Sequence, residues 1–163
     1  MNNMSSEKVN CVQVDYSNPT QMEHLLFMLN AYSMDPMANE KPLPADVLNG
    51  LKRDLPHVNG AISFLAYLND DRTNPVGLVN SFPGYSTFKA RPLLNIHDVV
   101  VLPEHRGKNI GGTLIETVAA KAKELGYCKL ALEVRTDNPA ERLYRRLGFN
   151  DGNHAMLFLT RDL

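Results

Sequence analysis

The 163-residue sequence predicts an α/β (α+β) fold, a single domain in which one mixed, twisted sheet carries helices on both faces. Three observations predict it. Short apolar runs rich in β-branched residues alternate with stretches whose apolar residues recur at helical spacing. Two strand-like runs flank a turn cluster, which gives an antiparallel hairpin. A strong strand is then followed by a helix and another strand, an order that requires a parallel pair joined by a crossover.

Taken in chain order, Val9 to Val14 alternates as a first strand. Pro19 opens a helix to about Tyr32, with Asn18 or Thr20 available as its cap. Pro36, Pro42 and Pro44 interrupt the chain before a second short helix from about Ala45 to Leu55, which Pro56 ends. Ala61 to Asn69 is a strand, Asp70 to Pro75 a turn, and Val76 to about Phe82 the antiparallel partner. An irregular stretch with Pro83, Gly84 and Pro92 leads into Leu93 to Leu102, the strongest strand of all, central and largely buried. Ile110, Leu114, Val118, Ala122 and Leu125 then mark a helix, with Gly126 where a left-handed cap is wanted. Cys128 to Val134 returns as a strand. Asn138, Pro139 and Glu141 start a short helix that Gly148 ends, and Ala155 to Thr160 is the last strand.

Composition narrows the partners. With 17 basic and 18 acidic residues the net charge is -1, so no global field draws the chain to nucleic acid or to an anionic membrane. The N-terminal residues lack the apolar stretch of a secretory signal, and no apolar run approaches the ~18 residues that span a bilayer, so a cytoplasmic protein is expected. Cys11 and Cys128 stand far apart and suit packed thiols, and the five histidines lack metal-binding spacing, so no metal is expected.

The chemistry concentrates in Arg106, Gly107, Lys108, Asn109, Ile110, Gly111 and Gly112, between the strongest strand and the clearest helix. The turn aims the helix's free N–H groups and positive dipole end at whatever fills it, which suits an anion. Its glycines let a ligand approach the backbone, and Arg106 and Lys108 add local positive charge, so the segment reads as a pyrophosphate cradle. Glycines alone could equally make only a tight turn. Neither the Rossmann spacing nor a Walker loop is present.

This segment resembles the hallmark of the GNAT (Gcn5-related) N-acetyltransferases, Arg/Gln-x-x-Gly-x-Gly/Ala after a strand and opening a helix. Arg106 to Gly111 match it with one departure, Asn109 in place of the first glycine. Asn tolerates left-handed backbone angles, although its side chain can crowd a phosphate. The resemblance continues through Asp98 to His105 and through Asn138 to Phe149, so that the span from Asp98 to Phe149, about a third of the chain, carries it.

It implies an acetyl-CoA-dependent N-acetyltransferase that moves an acetyl group directly to a primary amine of a small molecule or peptide. Arg106 to Gly112 would bind the cofactor, and the backbone around Val99 and Val101 would pair with the pantetheine arm and face the thioester oxygen. Asn138 would bind the pantetheine or pyrophosphate region, or cap its helix. Tyr144 would serve the CoA sulfur as hydrogen-bond or proton donor. Asp98 is the first candidate for a base or for a holder of a cationic acceptor, with His97 and Glu133 behind it. As strand neighbours, His97 and Asp98 should point to opposite faces. Tyr32, Met34 and Ser81 to Phe88 are expected near the acceptor, with Phe82, Tyr85 and Phe88 able to wall its pocket. A homodimer is compatible with the sequence. A non-catalytic acyl-CoA sensor of the same fold and a protein-interaction module are the competing readings.

Overall fold

The structure is a computed structural model that describes residues 7–152 and 157–163. Its sheet has five strands in sequence order, β1 (Val9–Gln13), β2 (Ile62–Leu68), β3 (Gly77–Ser86), β4 (Arg91–Val101) and β5 (Leu130–Leu132). The first four pair antiparallel and β4 with β5 parallel, as the predicted hairpin and crossover require. The helices are α1 (Pro19–Ser33), α2 (Ala45–Asp54), α3 (Ile110–Glu124) and α4 (Glu141–Arg146).

Strand alternation sorts the apolar residues into two cores. Leu65, Tyr67, Leu78 and Val100 meet Met22, Leu25 and Met28 of α1 on one face. Phe64, Ala66, Val79 and Ile96 meet Ile110, Leu114 and Val118 of α3 on the other. Leu25, Leu78 and Leu114 are each 0% exposed, so truncating any of them to Ala should cost about 2–5 kcal/mol. The caps follow the sequence signals. Asn18 Oδ1 accepts from the Gln21 N–H at 3.1 Å, with Pro19 at the first helical position, and Gly126 is left-handed at φ 77°.

Several elements differ from expectation: β4 is buried only at Leu94, Ile96 and Val100 rather than along most of its length, and β5 is confined to Leu130–Leu132 rather than running from Cys128 to Val134. β3 continues through Pro83 and Gly84 to Ser86, because the last β2 partner is at Ser81 and a missing proline N–H costs little beside an open edge. α4 begins at Glu141, since Asn138 and Pro139 form the turn before it. The expected closing strand from Ala155 to Thr160 begins outside the described residues, and Leu157 to Thr160 form no ladder. Among the described residues, no helix is long and apolar enough to cross a membrane.

Candidate active site

The site originates in a parting of strands. β4 and β5 are paired only at Leu94–Leu130, Asn95–Ala131 and Ile96–Leu132. Beyond Ile96 they separate, and a cleft of about 700 Å³ opens between Val99 to Val101 on one side and Glu133 to Arg135 on the other. The N-terminus of α3 and the start of α4 close its ends, so the cleft also receives Arg106, Gly107, Asn109 to Gly112, Asn138 and Tyr144. Chain segments some thirty residues apart thus share one cavity.

The turn before α3 is left-handed twice, at Gly107 with φ 79° and at Asn109 with φ 59° and ψ 18°. Asn109 adopts the angles for which its residue type was suited. Its side chain folds back over α3, where a Cβ at Gly112 would fall inside contact distance of its Oδ1. The second glycine therefore makes room for the asparagine. A Cβ at Gly111 would approach Leu143 Cδ2 to 3.3 Å, so that glycine lets α4 close against α3. The first helical bond runs from the Thr113 N–H to the Asn109 carbonyl at 3.0 Å, which leaves the N–H groups of Ile110, Gly111 and Gly112 ahead of it, and no side chain caps the helix. The Nδ1 of His105, which also lines the cleft, is buried without a partner among the described residues. Free donors at a positive helix end fit the phosphates of a CoA-type ligand.

The charges fall differently from the sequence reading. Lys108 does not line the cleft, and its Nζ donates to Glu7 Oε2 at 2.6 Å. Arg106 does line it, but donates through Nε to the Val101 carbonyl at 3.0 Å and through its other nitrogen to Asp35 Oδ2. Burial raises the Asp35 pKa, yet the Met37 N–H and the Arg106 guanidinium outweigh it and hold this carboxyl below its ordinary value. Arg146 also faces the cleft, without an ion-pair partner among the described residues. Neither Asp35 nor Arg146 stood out in the sequence. Asp35 is joined to Arg106 only by folding, whereas Arg146 sits beside Tyr144 within a recognisable motif.

Asn138 lines the cleft while its Oδ1 accepts from the Ala140 N–H at 2.9 Å, so it also shapes the turn into α4. Tyr144 combines packing with access. It is 9% exposed, stacks edge-on against Phe149 with centroids 6.1 Å apart, and contributes to the cleft wall. Burial, with a smaller effect of Tyr32 across the cleft, pushes its pKa up to about 12, so the phenol keeps its proton at physiological pH.

His97 and Asp98 correct the expectation of opposite faces. The β3–β4 register passes from Asn80–Asp98 to Ser81–Ile96 and leaves His97 without a partner, a β-bulge that breaks the strict alternation. The two side chains therefore meet, His97 Nδ1 lying 3.4 Å from Asp98 Oδ1. That carboxylate raises the His97 pKa above its ordinary value. His97 lines the main cleft and stacks edge-on with Phe82 at 5.8 Å. Asp98 opens instead into a smaller neighbouring pocket, and Tyr32 lines both cavities. Glu133 lines the main cleft and accepts from Asn95 Nδ2 at 3.2 Å. Tyr85 and Phe88 are exposed and line neither cavity.

Comparison with known proteins agrees with this geometry. The sequence model of the acetyltransferase (GNAT) family matches residues 25–149. A streptothricin acetyltransferase of Streptomyces lavendulae is 47% identical over 66 residues, 40% of this chain and 34% of that protein. A putative [ribosomal protein bS18]-alanine N-acetyltransferase of Bacillus subtilis (strain 168) is 38% identical over 66 residues, 40% of this chain and 44% of that one. The chain thus aligns with less than half the length of either relative. The crystal structure of an aminoglycoside acetyltransferase from an uncultured soil metagenomic sample superposes with a TM-score of 0.72 at 16% identity, covering 95% of this chain and 96% of that one, and so shares its fold.

Proposed function

The chain belongs to the acetyltransferase (GNAT) family, and on that premise we propose that it transfers the acetyl group of acetyl-CoA directly to a primary amine of a small molecule or peptide. The observation that carries this reading is the parting of β4 from β5 beyond Ile96, which places unpaired strand backbone, a free helix N-terminus and a buried tyrosine around one cleft. When bound, acetyl-CoA supplies an acyl carbon activated by a thiol leaving group. The remaining requirements fall on the chain.

The N–H groups of Ile110, Gly111 and Gly112 take the pyrophosphate, with Arg106 and Arg146 at its rim. The backbone around Val99 and Val101 receives the pantetheine arm, although the Val101 carbonyl already accepts from Arg106, which leaves Val99 the freer of the two. A strand N–H meets the negative charge that collects on the acyl oxygen, an effect worth about 3–4 kcal/mol in other acyl transfers. The acceptor nitrogen must lose a proton before it attacks, because a lysine-like amine is neutral in roughly one molecule in two thousand at pH 7. In this reading Asp98, with His97 beside it, holds the ammonium from the neighbouring pocket and receives that proton. The C–N bond then forms, the nitrogen releases its second proton to solvent, and the C–S bond breaks.

Tyr144 serves the departing sulfur. A phenol at about 12 lies above the ~8.5 of an ordinary thiol, so complete proton transfer is uphill and donation of a hydrogen bond to the thiolate is the favoured role. The proton itself comes from solvent.

The test is thiol release from acetyl-CoA by the full chain, against a panel of amino acids, polyamines, peptides and aminoglycosides. Acceptor-dependent release supports the reading. A rise in melting temperature with CoA but no release with any amine would identify an acyl-CoA sensor instead.

A further inference from the structure

We propose that Tyr16, Ser63 and Asn80 are positioning residues that hold Asp98 as the anionic floor of the second pocket, which takes a primary ammonium carried on a short apolar arm. The inference rests on the amine-acetyltransfer reading and names its acceptor class.

Ser63 on β2, Asn80 on β3 and Asp98 on β4 are direct cross-strand partners, so they form one row across three strands. They lie in phase with Leu65, Leu78 and Val100, on the face that α1 covers. Apolar side chains fill that layer elsewhere, and burying polar ones there costs free energy unless every group is paired. Ser63 and Asn80 are 1% and 2% exposed.

Their hydrogen bonds run in one direction. Ser63 Oγ donates to Asn80 Oδ1 at 2.6 Å, and Asn80 Nδ2 donates to Asp98 Oδ2 at 3.0 Å. Because the single Ser63 proton is used on Asn80, the Tyr16 hydroxyl, 2.8 Å from Ser63 Oγ, must be the donor of that pair. The amide orientation is fixed as well, since a carboxylate can only accept. Each donation strengthens the next, and the row ends on Asp98 Oδ2, whose position it fixes.

That carboxylate has an outlet. A pocket of about 230 Å³ is lined by Leu29, Leu43 and Leu51, by Ser33 and Asn39, and by Asp98, whose side chain is 18% exposed. It is smaller than the roughly 300–1,000 Å³ sites that enclose drug-sized ligands, so it admits one arm of an acceptor rather than a large molecule entire. A mostly apolar lining in which Asp98 is the one charged residue favours an alkylammonium over a neutral or anionic group. Tyr32 joins this pocket to the main cleft, so an amine seated here borders the acyl site.

Calorimetry on the full chain loaded with CoA tests this, with n-pentylamine and n-pentanol as probes. The wild type should bind the amine at least about tenfold more tightly than the alcohol. Asn80→Leu should reduce that ratio about fivefold or more and Ser63→Ala about two- to threefold, while Ser63→Thr, which keeps the hydroxyl, preserves it and the CoA affinity of each variant stays within about twofold. If Asn80→Leu does not fold, the Ser63→Ala and Ser63→Thr pair decides. Equal binding of the two probes by the wild type, or an unchanged ratio in the Ser63→Ala variant, overturns the proposal. Because the ratio is read without turnover, the two readings fail separately. An ammonium preference without thiol release sinks the enzymatic reading alone, and thiol release without the preference sinks the pocket assignment alone.

Discussion

The two sides of the molecule assemble their functional residues in different ways. On the proposed cofactor side, the turn before α3 and the start of α4 each deliver several groups from a few consecutive residues, and packing against β4 and β5 merely brings the two segments together. On the proposed acceptor side, the groups come from separate elements. Tyr16 precedes α1, Ser63 and Asn80 lie on β2 and β3, Asp98 on β4, and Tyr32 and Leu43 on and after α1. A local motif tolerates change elsewhere in the fold, whereas a row of side chains across a sheet depends on register. Besides Tyr32, which lines both cavities, an ion pair runs from Arg106 at the cleft rim to Asp35 beyond α1.

The sharpest break of the cofactor side alone is Gly111→Asp. It sets a negative charge beside the pyrophosphate site and a Cβ 3.3 Å from Leu143, so CoA affinity should fall more than about a hundredfold. Calorimetry measures it, and Gly111→Ala separates the two causes. An affinity lost equally in both variants would assign the effect to packing against α4. Next in size is Tyr144→Phe, which removes a hydrogen bond to a developing charge worth about 1.5–3 kcal/mol. The kcat should drop roughly ten- to a hundredfold with CoA affinity unchanged. The wild-type phenol, held at about 12, should contribute no ionisation to the kcat profile below about pH 11.

The same contrast explains what the sequence disclosed. The cradle from Arg106 to Gly112 and the Asn138 to Tyr144 segment are legible because their residues are neighbours in the chain and their spacing encodes the turn. The five strands and four helices are legible for a similar reason, through periodicity and caps. The His97 bulge was not, since an unpaired residue arises from how β3 and β4 are aligned, and strict alternation gave the wrong relation between His97 and Asp98. Neither Ser63 nor Asn80 carries any local sign of its role, because each is an ordinary small polar residue until Asp98 is set beside it. Lys108 shows the reverse case, a cation in the right place along the chain that turns away to Glu7.

Asp35→Asn probes the link between the sides. Loss of the carboxylate frees Arg106 for the pyrophosphate, so CoA affinity should rise about threefold, while loss of a half-buried pair costs up to about 1 kcal/mol of stability. The linkage has a definite sign. The Asp35 pKa is lowered in the folded state, so its contribution is present above the usual carboxylate value near 3.9 and is lost as pH falls through the lower folded value. Wild type and variant should therefore differ in denaturant midpoint at pH 7 and converge as the solution is taken below about pH 4. A difference that persisted in acid would place the cost in packing of the segment after α1.

The smallest effect tests the asparagine in the cradle. Replacing Gly112 by Ala should raise intrinsic helix propensity by up to about 1 kcal/mol, so a purely structural account forecasts a neutral or more stable protein. A methyl group there collides with Asn109 Oδ1, however, so the short side chain must shift, and the expected shift is off the helix toward the proposed phosphate side. CoA affinity should then fall about three- to fivefold without loss of melting temperature. Asn109→Gly removes the side chain and keeps the left-handed turn, so in the double variant Gly112→Ala should lose its effect on affinity. That non-additivity is the decisive reading. Equal penalties with Asn109 present and absent would mean that Gly112 itself approaches the ligand, while a coupled pair would mean that its smallness exists to accommodate the neighbour that replaced a glycine.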